Sequence, residues 1–203
     1  MSIHIKICGI SDLASGQVAV DAGADSVGFV LASSVRQISP AKAQEIASEL
    51  PGTVDKVAVF RGPPRREIAS ALEGFDADVV QADFLSLAGL TAPRPLPVFR
   101  ETLSGPDEIA AQLDGDRFVY EGRHSGVGRA VDWDLAAAVA EMGQMTLAGG
   151  LDPDNVAEAI KIVRPFGVDV SSGVESSPGV KDPARIRAFV QAVREAEKDL
   201  VRI

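Results

Sequence analysis

The sequence predicts an α/β protein folded as a single closed (β/α)8 barrel of the TIM type, and three observations carry that prediction. Short β-rich apolar runs recur about every 20–30 residues. Amphipathic stretches with a period near 3.6 occupy the intervals between them. Side chains able to cap a helix stand directly ahead of prolines where those stretches should begin. Strands that are apolar along their length and alternate with helices imply a parallel sheet covered by helices, and eight such units close into a barrel. An open, doubly wound sheet is the competing arrangement, because a run as short as 78–81 is easily miscounted.

The runs, in order, are IHIKI (3–7), SVGFVL (26–31), KVAVF (56–60), DVVQ (78–81), PVFR (97–100), RFVYE (117–121), MTLAG (145–149) and GVDVS (167–171). Ser39-Pro40 opens the helix after the second run. ADFLSLAGLTAPRPL, after the fourth, leaves room for a short helix at most, which makes the fourth and fifth units the weakest. Asp132 caps a helix opening at Trp133, and its apolar stripe is Leu135, Ala138, Val139 and Met142. Asp152-Pro153 opens the next, with Val156, Ala159, Ile160 and Val163 on one face. Asp182-Pro183 opens the last, with Ile186, Phe189, Val190 and Val193. Spacing of i, i+3, i+4, i+7 gives each of these helices one stripe to lay on a sheet.

A chain of 203 residues fits one domain, 1–203. Twenty Lys and Arg against 29 Asp and Glu give a net charge of −9, a surface that repels polyanions and argues against nucleic acid. The single cysteine rules out an intramolecular disulfide or a thiolate metal cage and fits a reduced compartment. MSIHIKICGI lacks the parts of a signal peptide, and no apolar run reaches the ~18–20 residues needed to span a bilayer. A soluble cytoplasmic protein with no membrane partner is expected.

In a parallel barrel the chemistry sits at the carboxyl ends of the strands. Cys8 ends the first run, so its thiol faces the mouth; the competing reading is a small buried hydrophobe. A functional thiol there needs some thiolate, which nearby cations or a helix N-terminus would favour. LAGGLDPDN (147–155) and VSSGVESSPG (170–179) follow the seventh and eighth runs, where many barrels hold phosphate. Gly149, Gly150, Ser172 and Gly173 are the expected cup: glycines let backbone approach a ligand, and a helix starting near Pro153 adds its N–H groups.

KICGISDLASGQVAVDAGADSVGFV, SSVRQISPAKA, VDWDL, LAGGLDPDNVAEAI and GVDVSSGVESSPGVKDPARIRAFV resemble the phosphoribosylanthranilate isomerase family of tryptophan biosynthesis, over roughly residues 5–60 and 117–195. The resemblance implies an Amadori rearrangement of a small phosphorylated substrate, with no metal and no organic cofactor. A general acid protonates the furanose ring oxygen, the ring opens to a Schiff base, and a general base removes the C2′ proton. On that reading Cys8 is the base, Asp169 holds or polarises the substrate, and Arg36 meets the anthranilate carboxylate. Arg36 as a solvated loop cation and Asp169 as a helix cap are the plainer alternatives.

Three departures stand out. The family's acid is an aspartate twelve residues before a tryptophan; counted from Trp133 that place is Glu121. The family's GG-S/T-G is here SGVG, Ser125–Gly128, with Val127 in place of a small hydroxyl residue. Its QLHG is here QADF, so Gln81 stays as a substrate-binding candidate while Asp83 and Phe84 replace histidine and glycine. His124 reads as a surface loop residue and Trp133 as a packing residue. Two rivals follow: an isomerase of another phosphorylated sugar amine, and a non-catalytic barrel that binds a phosphorylated metabolite. The resemblance is compatible with a monomer or a homodimer.

Overall fold

The computed structural model describes residues 2–62, 64–90, 93–101, 109, 117–122 and 131–200. Eight parallel strands close in sequence order: β1 His4–Cys8, β2 Ser26–Val30, β3 Asp55–Val59, β4 Val79–Asp83, β5 Pro95–Arg100, β6 Arg117–Glu121, β7 Gln144–Ala148 and β8 Gly167–Val170, with β1 pairing to both β2 and β8. The expected closed barrel is therefore the one found, and no open sheet edge remains in it.

The described helices are α1 Leu13–Ala22, α2 Pro40–Ser48, α3 Arg65–Leu72, α4 Phe84–Leu87, α5 Trp133–Ala140, α6 Val156–Val163 and α7 Pro183–Leu200. Ser39 caps α2 by accepting from Lys42 N, with Pro40 at the first helical turn. Asp132 accepts from Asp134 N and Leu135 N at the head of α5, and Asp182 from Ala184 N and Arg185 N at the head of α7. The Asp152-Pro153 signal opens a turn instead of a helix. Asp152 Oδ1 accepts from Asp154 N and Asn155 N, and α6 begins only at Val156. After the fourth strand there is a single turn of helix, α4, as the Pro-rich stretch requires. No described helix is long and apolar enough to cross a membrane.

Alternation along each strand divides the buried residues into two sets. Ile5, Ile7, Val27, Phe29, Val80, Phe118, Tyr120, Leu147 and Val168 belong to the larger cluster, which includes the apolar stripes of α2, α6 and α7. A second, smaller cluster holds Val57, Val79, Leu96, Val98, Val119 and Ala148. Lys6, Ser26, Gln81, Arg100, Thr146 and Asp169 are buried too, so the strands are not apolar throughout as the sequence pattern suggests. In β1, apolar Ile5 and Ile7 alternate with His4, Lys6 and Cys8.

Candidate active site at the barrel mouth

The carboxyl ends of the strands surround a cavity of about 140 Å³ whose wall includes Cys8, Arg36, Gln81, Arg100, Glu121 and Asp169. Cys8 closes β1 and is buried. Two positions earlier on the same strand, Lys6 is 1 % exposed and reaches Asp169 Oδ2 at 2.8 Å. Burial works against the Lys6 charge, but Asp169 and then Cys8 outweigh it and hold its pKa above the ordinary lysine range. For Cys8 the balance runs the other way. Burial and, further down, the Asp169 charge push the thiol up, while Lys6 and Lys181 pull it down without prevailing. The cations a functional thiol was expected to have are thus present, yet the net direction is upward.

Two glycines make room for this cluster. A Cβ on Gly28 of β2 would lie 2.9 Å from the Cys8 sulfur and 3.2 Å from Lys6 Nζ. Gly9, with φ at 79°, would bring a Cβ to 2.7 Å from Arg36 Cδ and 3.0 Å from Ser171 Oγ. The residue after the thiol is glycine because the Arg36 stem crosses there.

Arg36 donates Nε and Nη2 to the two oxygens of Glu175, at 2.6 and 2.8 Å. Glu175 opens the hairpin β9 Glu175–Ser177 and β10 Val180–Lys181, and also accepts from Lys181 Nζ at 2.9 Å. Burial opposes the Glu175 charge, but Arg36 and Lys181 overcome it and hold the carboxyl down at about 2. Lys181 in turn donates to the Ser171 carbonyl at 2.8 Å, fixing the loop that leaves β8.

A third charged group joins the ends of β4, β5 and β6. Arg100 Nη1 lies 2.5 Å from Glu121 Oε2, and its Nε and Nη2 reach Asp83 Oδ1 at 3.1 and 2.8 Å. Burial opposes the Arg100 charge, and the Glu121 and Asp83 carboxylates outweigh it. Two buried acceptors, Asp169 Oδ1 and Gln81 Oε1, have no partner among the described residues.

The turns after β7 and β8 meet as expected. Gly149 and Gly150 have φ of 98° and 70°, and both line the cavity with Ser172. Gly173 is not among the residues that line this cavity; a Cβ there would collide with the Leu151 carbonyl oxygen and Asp152, so the glycine also docks one loop on the other. The N–H groups ahead of α6 are likewise engaged by Asp152. The N–H groups of Ser172 and Gly173 open the short 3-10 helix Ser172–Val174 and have no intrahelical partner.

Residues 5–192 match the family described as N-(5′phosphoribosyl)anthranilate isomerase. The chain belongs to that family. The N-(5′-phosphoribosyl)anthranilate isomerase of Citrifermentans bemidjiense is 40 % identical, over 94 % of this chain and 97 % of its own. That of Pelobacter propionicus is 36 % identical over 98 % and 100 %. Among solved structures, phosphoribosyl anthranilate isomerase from Thermus thermophilus aligns with a TM-score of 0.84 at 30 % identity, covering 95 % of this chain and 99 % of that one. A crystal structure of the isomerase in complex with reduced 1-(o-carboxyphenylamino)-1-deoxyribulose 5-phosphate aligns at 0.80 with 32 % identity, over 95 % and 99 %.

For this isomerase-family chain the structure brings Cys8, Asp169, Arg36, Gln81 and Glu121 to one cavity, with Gly149, Gly150 and Ser172 beside them. Asp169 is bound to Lys6 and is not a helix cap, and Arg36 is not a solvated loop cation. His124 and Ser125–Gly128 lie outside the described residues. Sequence reasoning missed Lys6, Arg100, Glu175 and Lys181. Lys6 had a signal, the polar alternation of HIKIC, whereas the other three become visible only through partners distant in sequence.

Proposed function

We propose that this mouth carries out the Amadori rearrangement of N-(5′-phosphoribosyl)anthranilate to the 1-deoxyribulose phosphate product, in a cytoplasmic enzyme of tryptophan biosynthesis. One observation carries the reading: a thiol and two carboxylates, Cys8, Asp169 and Glu121, converge on one cavity beside the glycine turns of β7 and β8.

Glu121 is the acid that protonates the furanose ring oxygen as the bond from that oxygen to C1′ opens. A guanidinium can only donate, so Glu121 Oε2 accepts from Arg100. The Cys8 thiolate then removes the C2′ proton of the Schiff base, and the resulting enolamine becomes the ketone. Lys6 supplies the positive charge against which that thiolate forms. Burial, which pushes the thiol up, also makes the thiolate a stronger base once formed. Asp169 is anchored at Oδ2 by Lys6 and offers Oδ1 to a substrate hydroxyl or N–H, and Gln81 offers a second acceptor. Glu175 occupies Nε and Nη2 of Arg36, and the Nη1 side serves the anthranilate carboxylate. The phosphate lies against Gly149, Gly150 and the N–H groups of Ser172 and Gly173.

The test is complementation of a tryptophan auxotroph lacking this isomerase, joined to an assay of the purified protein on freshly made phosphoribosylanthranilate. Growth and turnover are expected. A folded protein that consumes none of the substrate would overturn the reading.

A further inference from the structure

The opposite end of the barrel holds a second group of charges that the chemistry above does not use. His4, Ser26, Asp55 and Arg117 are the first residues of β1, β2, β3 and β6, and Arg94 directly precedes β5. With Thr146 of β7 they surround a floor cavity of about 60 Å³. Most charges here are matched. Arg94 Nη2 lies 2.7 Å from Asp55 Oδ1, Arg194 Nη2 lies 3.1 Å from Asp25 Oδ2, and Lys6 reaches up to Asp169. Among the described residues Arg117 has no carboxylate at ion-pair distance, and its buried Nε has no acceptor. One face of its guanidinium lies over the Phe166 ring, 5.0 Å from the centroid. That ring offsets some charge but accepts no in-plane hydrogen bond.

We propose that this floor cavity binds a small monovalent anion of halide size, held by Arg117 and Arg94 with the hydroxyls of Ser26 and Thr146 beside it. The size permits it: 60 Å³ exceeds the roughly 10–15 Å³ needed to seat one particle the size of a water. Asp55 matches Arg94, so the excess positive charge is that of Arg117 alone. His4 reports on the site because it shares the cavity and sits 3.0 Å from Ser26 Oγ. Its pKa is lowered to about 4, first by burial and then by Arg117, with Lys6 adding a smaller push and Asp25 and Asp55 opposing.

The experiment uses bromide as the probe. At fixed ionic strength, potassium gluconate, whose anion is too large for the cavity, is exchanged for potassium bromide. The His4 imidazole is followed by NMR, with the chain's other histidine, His124, as reference. His4 should rise by about one unit, saturably, as the anion offsets Arg117, and Arg117→Met should remove the response. Crystals grown in bromide should show an anomalous peak beside Arg117, which decides the matter on the wild-type protein if the methionine variant does not fold. No saturable shift together with no peak would assign the cavity to water and overturn the proposal.

Discussion

Among the described residues, the buried atoms left without partners at the mouth are acceptors, Asp169 Oδ1 and Gln81 Oε1, whereas at the floor the comparable atom is a donor, Arg117 Nε. The two ends of one barrel therefore call for opposite ligands. A sugar amine brings hydroxyl and N–H donors to the mouth, and an anion brings lone pairs to the floor. Lys6 lies between the two. It follows His4 by two residues on β1, takes part in the floor cavity, and ends on Asp169 at the mouth. The Lys6 charge acts on His4 at the floor and on the Cys8 thiol at the mouth, so this side chain links the two ends electrostatically.

The largest expected effect isolates the chemistry at the mouth. Cys8→Ala should lower kcat by about 10²–10⁴-fold, the range for loss of a general base, with thermal unfolding almost unchanged. A variant turning over at the wild-type rate would return Cys8 to the core. Lys6→Met tests whether the connecting side chain is structural as well: it leaves Asp169 buried and unpaired, and urea unfolding should show a loss of about 3–5 kcal/mol. Adding Asp169→Leu should recover much of that stability and none of the activity. If the double variant is as unstable as the single, the ion pair is not the cause.

A smaller effect is expected at the rim. Glu175→Gln removes the carboxylate that orients Arg36, and loss of a charge-assisted bond worth roughly 1.5–3 kcal/mol should appear mainly as a rise in KM of about tenfold or more. A fall confined to kcat would place Glu175 elsewhere in the mechanism. The smallest effect belongs to the floor and is read through pH. The folded pKa of His4, about 4, lies below its ordinary 6.5, so the unfolded chain binds the proton first as pH falls. Stability contributed by neutral His4 is present above 6.5 and is lost between about 6.5 and 4. Glu175, depressed from 4.5 to about 2, adds a further loss below about 4.5. Urea midpoints measured across that range should decline in two stages, and His4→Gln should flatten the first.

Much of the fold was legible because its causes are local. Period-two and period-3.6 patterns, and caps such as Ser39 and Asp132, act within a few residues, and each appears where the pattern put it. The Asp152-Pro153 signal misled because Asn155, three residues on, takes the cap position, and Asp152 is left to close the preceding turn. Part of the site was legible for the same reason: Cys8 had to end a strand, and the glycine turns had to follow β7 and β8. The packing of Gly173 against Leu151 was not legible, because that constraint comes from another loop, which no local pattern records.

The sequence alone pointed to eight units, to the runs that carry Cys8, Gln81, Glu121 and Asp169, and to the family motifs they belong to, whereas the pairing of β1 with β8 decided for a closed barrel over an open sheet. Tertiary structure decided how the charges are balanced. Lys6 and Asp169 are 163 residues apart in the chain, and Arg36 and Glu175 are 139 apart, yet each pair is in hydrogen-bond contact. Closure of the barrel brings β1 against β8 and carries the last hairpin over the β2 loop. Only then does burial remove the water that would otherwise solvate each ion separately, so that every buried charge must find a partner or shift its pKa.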